Sequence, residues 1–158
     1  MSPVRPLRPS DLPEVLRVQR SAYAEEYLEP VEAFARKLDL FPPGALGAVE
    51  DGSLVAYLFC HPWTLGEAAP LHAADLALPT SPDCLYIHDL AVRADRRGRG
   101  LSADLVDAAL GIARRMDLNA CALVAVQLTE PFWARHGFRR DRRLEYPPGR
   151  AAAYMVRP

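Results

Sequence analysis

Leu90-Ala91-Val92-Arg93-Ala94-Asp95-Arg96-Arg97-Gly98-Arg99-Gly100-Leu101-Ser102 decides how this chain is read. An apolar run from Leu85 to Val92 enters it as a strand. A charged, glycine-bearing turn follows. Leu101 to Met116 then reads as a helix, with Leu101, Leu105, Ala108 and Ile112 on one face. Such a strand–turn–helix junction presents free backbone N–H groups at the positive end of a helix dipole. Gly98 and Gly100 let phosphate oxygens approach the backbone, and Arg96, Arg97 and Arg99 offer charge-assisted contacts. The junction therefore predicts a pyrophosphate seat on the amides from Arg97 to Ala103, through Leu101 and Ser102. The spacing is neither the three-glycine dinucleotide fingerprint nor the P-loop, which ends in Gly-Lys-Ser/Thr. An ordinary tight strand–helix connection is the alternative reading.

Working outward, the N-terminal side opens with a short strand, Val4 to Leu7. Asp11 reads as an N-cap, with Pro13 in the first turn and Glu14 three residues on, so a helix is expected to about Ala24. A second helix follows Pro30, with Phe34 and Leu38 stacked four apart. Pro42-Pro43-Gly44 breaks the chain. Ala45 to Glu50, the turn Asp51-Gly52, and Leu54 to Cys60 then form a hairpin. Residues 62–83 hold four prolines and read as a long loop, a feature often tied to function. On the C-terminal side Ala120 to Val126 is a buried strand. Pro131 opens a short helix that Gly137 closes, and a last hairpin turns at Pro147-Pro148-Gly149. Strands 84–92 and 120–126 flank a helix and are expected to be parallel, with a right-handed crossover.

Bulk properties exclude several classes. The 158 residues suit one domain spanning 1–158, half apolar and a quarter charged. A net charge of −1 gives no reason to expect a nucleic-acid or membrane partner. Lys37 is the only lysine, a pattern that reads as coding bias. The pairs Arg139/Arg140 and Arg142/Arg143 read as solvated charges near a strand end. The start MSPVRPLRPSDL lacks an apolar leader, and no stretch approaches a membrane span, so a cytoplasmic protein is expected. Cys60, Cys84 and Cys121 lie far apart in apolar runs and read as buried free thiols. His61, His72, His88 and His136 show no metal-ligand spacing, and no metal is expected; His61 and His72 read as loop or surface residues.

The central stretch resembles the acetyl-CoA signature of the GNAT superfamily of N-acetyltransferases, Arg/Gln-x-x-Gly-x-Gly/Ala. Arg97 and Gly100 match it, with Ser102 at the last, small position. A second landmark of that superfamily, an aromatic followed by Gly-Phe, is similar to Pro131-Phe132-Trp133-Ala134-Arg135-His136-Gly137-Phe138. Arg5-Pro6-Leu7-Arg8-Pro9-Ser10-Asp11-Leu12 resembles its opening strand and helix. Within it, Ile87-His88-Asp89-Leu90-Ala91-Val92 and Leu123-Val124 ahead of Pro131 look most like the arylalkylamine (serotonin-type) enzymes. Those carry two alternating histidines on this strand; His88 matches the second, and Tyr86 stands at the first.

The resemblance implies an α/β fold with a mixed, mostly antiparallel sheet, one parallel splayed strand pair and flanking helices. It implies acetyl-CoA as co-substrate, its pyrophosphate on Arg97, Gly98, Arg99, Gly100, Leu101, Ser102 and Ala103. The pantetheine arm would lie along Leu90, Ala91 and Val92, with Trp133 walling the channel. The implied reaction is direct acetyl transfer to a primary amine, an arylalkylamine or another small amine. A polyamine, amino acid, antibiotic or protein amine, or an acyl-CoA-binding module without turnover, are the alternatives. A monomer or homodimer is expected.

An alkylammonium loses its proton near pH 10, so attack on a thioester needs a base. His88 suits that task; its other reading is a histidine satisfied inside the sheet. Tyr86 shares its face by alternation and would anchor a water or pack beside the substrate, and Asp89 faces away unless a bulge intervenes. Trp133 stands where many relatives carry a thiolate-protonating tyrosine, leaving Tyr23, Tyr27 or a water for that step. Trp63, Leu65 and Leu71 either line the acceptor pocket or pack the loop.

Overall fold

The computed structural model describes residues 3–158. Its strands are β1 (Val4–Pro6), β2 (Ala45–Glu50), β3 (Ser53–Trp63), β4 (Cys84–Val92), β5 (Cys121–Ala125), β6 (Arg139–Glu145) and β7 (Ala151–Arg157). They form one sheet in the order β1-β2-β3-β4-β5-β7-β6. Only β4 and β5 run parallel. The helices are α1 (Leu12–Ala22), α2 (Val31–Leu40), α3 (Leu101–Arg115) and α4 (Glu130–Arg135). This is the mixed, mostly antiparallel sheet with flanking helices that the sequence implied.

Two helices cover each face. Leu12, Val15 and Val18 of α1 and Phe34 and Leu38 of α2 pack on Tyr57, Phe59 and Ala91. Leu105, Val106, Ala109 and Ile112 of α3 pack on Leu58, Leu85, Ile87 and Leu123, joined by Trp133 and Phe138 from the α4 end. Residues apart by three and four on each helix thus reach opposite faces of one sheet.

Boundaries differ from expectation at three points. The first helix stops at Ala22, before Tyr23 turns extended. Asp11 precedes α1 but makes no side-chain cap to it. Its carboxylate is bound instead by both terminal nitrogens of Arg5, each at 2.9 Å, and by the Arg8 N–H at 2.7 Å. The third strand continues past Cys60 to Trp63, because Tyr86, Leu85 and Cys84 supply partners for His61, Pro62 and Trp63.

Two irregularities of β4 position the site. It pairs with β5 only at Leu85–Cys121, Tyr86–Ala122 and Ile87–Leu123, then runs on to Val92 without that partner. The strands splay and leave a gap. On the other side, Cys60 opposes Ile87 but Phe59 opposes Asp89, so His88 is an extra residue, a β-bulge. Leu85 and Ile87 face α3, whereas Tyr86 belongs to a cluster on the opposite face with Tyr154 and Ala122. Beyond the bulge the phase is shifted, so Asp89 and Ala91 turn toward α1 and α2.

The loop after β3 is tied down along its length. The Gly66 N–H donates to the Tyr154 hydroxyl, the Leu65 N–H to Asp83, and Arg36 to the Leu76 carbonyl. Cys60, Cys84 and Cys121 are buried free thiols, as expected. Burial pushes the Cys60 thiol up and the Cys84 thiol up to about 12, so both stay protonated and inert near neutral pH. Among the described residues no helix is long and apolar enough to cross a membrane.

Candidate active site

The glycine turn folds as its sequence requires. Gly98 and Gly100 sit at φ 80° and 79°, the left-handed region open to glycine. Gly100 is the residue before α3, and no side chain caps the helix. The Asp104 N–H reaches the Gly100 carbonyl at 3.1 Å, so the amides of Leu101, Ser102 and Ala103 precede the first intrahelical bond. A Cβ built on Gly98 or Gly100 would meet nothing within 4 Å. The space beside the turn is open, and an anion fits it. Arg97 is exposed, whereas Arg96 is drawn to Glu50 and Asp51 at 3.2 Å and Arg99 approaches Glu50 at 3.6 Å. Two of the three arginines therefore already face the β2–β3 turn.

From the turn the gap between β4 and β5 leads into a cleft of about 670 Å³, counted with its open mouth. Arg93 donates its N–H to the Val55 carbonyl on β3 at 2.7 Å. Alternation then directs the backbone groups of Leu90 and Val92 away from β3, toward the gap. The Leu90 carbonyl there accepts the Tyr23 hydroxyl at 2.6 Å. Ala91 differs: it is buried among α1 and α2 residues. Trp133 lies in the cleft wall with Phe132, Tyr27 and Tyr146.

The cleft floor holds a buried polar cluster. His88 has a side chain 1% exposed. Its Nδ1 lies 3.2 Å from Nε2 of His61, and the His61 Nδ1 lies 3.0 Å from the Pro62 carbonyl. Its Nε2 lies 3.5 Å from Glu29 Oε1, too far for an ordinary hydrogen bond, and has no hydrogen-bond partner among the described residues. Glu29 in turn accepts Lys37 Nζ at 2.9 Å and the His72 N–H at 2.9 Å. Gln19 fixes the Glu29 backbone from both sides, donating to its carbonyl and accepting its N–H. On the far side of the bulge Asp89 accepts the Tyr57 hydroxyl at 2.9 Å.

Burial and charge set the protonation of this cluster. Burial alone would raise the Glu29 carboxyl, but His88 and Lys37 outweigh it and hold Glu29 well below the usual carboxylate range. Burial, aided by the Lys37 charge, lowers the His88 imidazole from its ordinary value despite Glu29. Burial and then His88 push His61 down to about 3, so it is neutral. Burial and the Glu29 charge push the Asp89 carboxyl up to about 6. Burial, followed by Asp89, raises the Tyr23 and Tyr57 hydroxyls, which remain donors.

Of the two residues singled out for catalysis, the structure brings only one to the cleft. Tyr86 is a neighbour of His88, with ring centroids 5.8 Å apart, but it lies behind it, packed among Ala69, Cys84, Ala122 and Tyr154. His61 is the larger correction. It is 1% exposed inside β3, not a loop histidine, and it lies beside His88, opposite Tyr86. Glu29 escaped the sequence reading, and Lys37 was read there only as coding bias; both are buried and ion-paired. His72 is an exposed loop residue as expected, though its backbone holds Glu29. Leu71 lines the cleft, whereas Trp63 packs against His61 and Leu65 is 41% exposed. No group of three or more His, Cys, Asp or Glu among the described residues is arranged to hold a metal.

A splayed parallel strand pair, a glycine turn at a bare helix N-terminus and a bulged β4 stand together here. The profile of the acetyltransferase (GNAT) family matches residues 12–138. The chain belongs to that family. Its membership carries acetyl-CoA-dependent N-acetyl transfer as the reaction class. Among curated protein sequences nothing matches the chain. Solved structures match its fold throughout. Ard1 from Thermoplasma volcanium is 19% identical, with 98% of this chain and 95% of that one covered and a TM-score of 0.79. The GNAT-like decarboxylase GphF, solved with isobutyryl-CoA, is 17% identical over 98% and 97%, with a TM-score of 0.82. The NatC complex bound to Gag peptide and CoA gives 18% over 98% and 96%, and 0.75. Members of this fold thus hold CoA or acyl-CoA with quite different partners, and the likeness leaves the acceptor of this GNAT chain to its own side chains.

Proposed function

We propose that this chain transfers the acetyl group of acetyl-CoA directly to a small primary amine, with an arylalkylamine as the best-fitting class. The observation that carries the reading is His88, which lines the cleft with a buried Nε2 that lacks a hydrogen-bond partner and lies 3.5 Å from Glu29 Oε1. In this reading the amides of Leu101, Ser102 and Ala103 hold the pyrophosphate, with Gly98 and Gly100 leaving it room. Arg97 adds charge from the solvent side. The pantetheine arm runs beside Leu90 and Val92, whose backbone groups face the gap. His88 Nε2 removes a proton from the acceptor ammonium, directly or through one water, and the amine attacks the thioester. Trp133 has no acidic proton to give, so the departing thiolate takes one from Tyr23, Tyr27 or a water.

Two features favour a compact, aromatic amine over a polypeptide. The lining is aromatic: Tyr23, Tyr27, Phe132, Trp133 and Tyr146. The acceptor side is also roofed by contacts between distant segments. Arg150 pairs with Glu26, the Tyr146 hydroxyl donates to the Ala69 carbonyl, and His72 reaches the Leu28 carbonyl.

The test is thiol release from acetyl-CoA across a panel of arylalkylamines, polyamines, amino acids and N-terminal peptides. Release should require an amine and be fastest with arylalkylamines. His88→Gln should lower that rate about 10²-fold and leave acetyl-CoA affinity by calorimetry unchanged. Wild-type turnover in His88→Gln would remove His88 as the base. Tight acetyl-CoA binding with no release for any amine would make the chain a binding module.

A further inference from the structure

We infer that His61 is a positioning residue that fixes the tautomer of His88, so that the proton of the neutral ring sits on Nδ1 and the bare nitrogen is Nε2. The inference rests on the reading of His88 as the base, and it follows from hydrogen-bond direction between two neutral rings. The Pro62 carbonyl can only accept. The His61 Nδ1, 3.0 Å away, therefore carries the hydrogen and donates it. His61 is neutral, so its Nε2 is then a lone pair. The His88 Nδ1 lies 3.2 Å from that lone pair and must be the donor. One proton remains to be placed on a neutral His88, and it is already spent at Nδ1. Nε2 is bare, in keeping with its lack of a hydrogen-bond partner; Glu29 Oε1, 3.5 Å away, becomes its ion-pair partner only when the ring is protonated.

The chain of two hydrogen bonds thus starts at the Pro62 carbonyl and ends at the lone pair of His88 Nε2. When Nε2 takes the proton of the acceptor ammonium, the N–H bond of the ammonium breaks and an Nε2–H bond forms. The imidazolium then donates from Nδ1 to His61 Nε2 and forms an ion pair with Glu29 through Nε2. Only the protonated ring satisfies every group in the cluster. Without His61 the opposite tautomer is favoured: Nε2–H would turn to Glu29, and the base would point its lone pair away from the acceptor. The groups facing His88 are Glu29 and Lys37 from the α2 side, His61 from β3, and Tyr86 and Asp89 on its own strand. Glu29 and Lys37 carry opposite charges held together at 2.9 Å, so the His61 lone pair is the one neutral determinant.

The experiment is long-range proton–nitrogen correlation on histidine-labelled protein at pH 8, joined to kinetics. In the wild type, His88 should show a protonated Nδ1 and a bare Nε2, and His61 a protonated Nδ1. In His61→Phe the His88 proton should move to Nε2. The amine-dependent rate should fall about tenfold to a hundredfold, with acetyl-CoA affinity unchanged and the acidic limb of the pH–rate profile displaced. His61→Gln, whose amide oxygen can accept from Nδ1–H, should recover the rate to within a few-fold. A wild-type spectrum with Nε2 protonated overturns the inference without any variant. So does His61→Phe with the wild-type tautomer and rate. If instead the tautomers are as stated but His88→Gln keeps full activity, the base assignment fails and the tautomer assignment stands.

Discussion

The two ends of the cleft contrast in origin. At the turn, consecutive residues from Arg93 to Ala103 supply glycine φ angles, bare amides and positive charge, and apart from the buried Leu101 they are exposed or half-exposed. At the floor, Glu29 comes from just before α2, Lys37 from α2, His61 from β3, and His88 and Asp89 from β4, and their side chains are buried together. The turn works by leaving groups unpaired that water can satisfy. The floor works by pairing groups that water cannot reach, apart from one nitrogen. Changes at the turn should therefore act on ligand affinity and add independently, and changes at the floor should act on stability and couple.

The sharpest way to break that contrast is Lys37→Met. It leaves the buried Glu29 carboxylate without its ammonium, so unfolding free energy should drop by about 3–5 kcal/mol. The double variant Lys37→Met/Glu29→Gln should recover most of that loss. Denaturant titration measures both, and simple additivity of the two changes would contradict the coupling.

A smaller effect tests the acid at the bulge. The folded-state pKa of Asp89 is raised from 3.8 to about 6. The folded form thus favours the protonated acid, and stability is lost as pH rises from about 4 to about 6, then levels off. Relative to Asp89→Asn, the wild type should lose on the order of 3 kcal/mol across that window. Parallel stability curves for the two proteins between pH 4 and pH 7 would show that Asp89 is not held in this way.

The turn is tested by Ser102→Glu. A carboxylate in the first turn of α3 suits the free helix dipole, so thermal stability should hold or rise slightly. The same charge opposes a pyrophosphate, and acetyl-CoA should bind at least tenfold more weakly, about 1.4 kcal/mol. This substitution avoids Gly100, where any side chain is strained at φ 79° whether or not a ligand is present. Unchanged affinity by calorimetry would move the pyrophosphate elsewhere.

The contrast also explains what could be read in advance. The glycine turn, the parallel pair across α3 and the Gly137 stop of α4 are local patterns, legible from a few neighbouring residues. The floor required knowing which strands adjoin. His61 was hidden because Pro62 and Trp63 look like the start of a loop. Its signal lay in alternation: Tyr57, Phe59, His61 and Trp63 occupy every second position of β3, one aromatic face. Lys37 carried a signal too, since it falls three residues after Phe34 and one before Leu38, on the apolar stripe of α2. Read as a matter of codon usage, the chain's single lysine concealed a buried charge.

The extra residue at position 88 has a consequence for how such a protein can change over generations. Point substitutions alter one side chain and leave the facing of the rest intact. Removing one residue from the bulge would restore unbroken alternation while positions 89 to 92 keep their β3 partners and their facing. Asp89 would stay opposite Phe59, and Leu90 and Val92 would keep their backbone groups toward the gap. What a single deleted codon takes away is the extra place that sets an imidazole beside Asp89. The seat of the thioester arm can therefore outlast the loss of the base in descent, and the length of β4 governs the amine side alone.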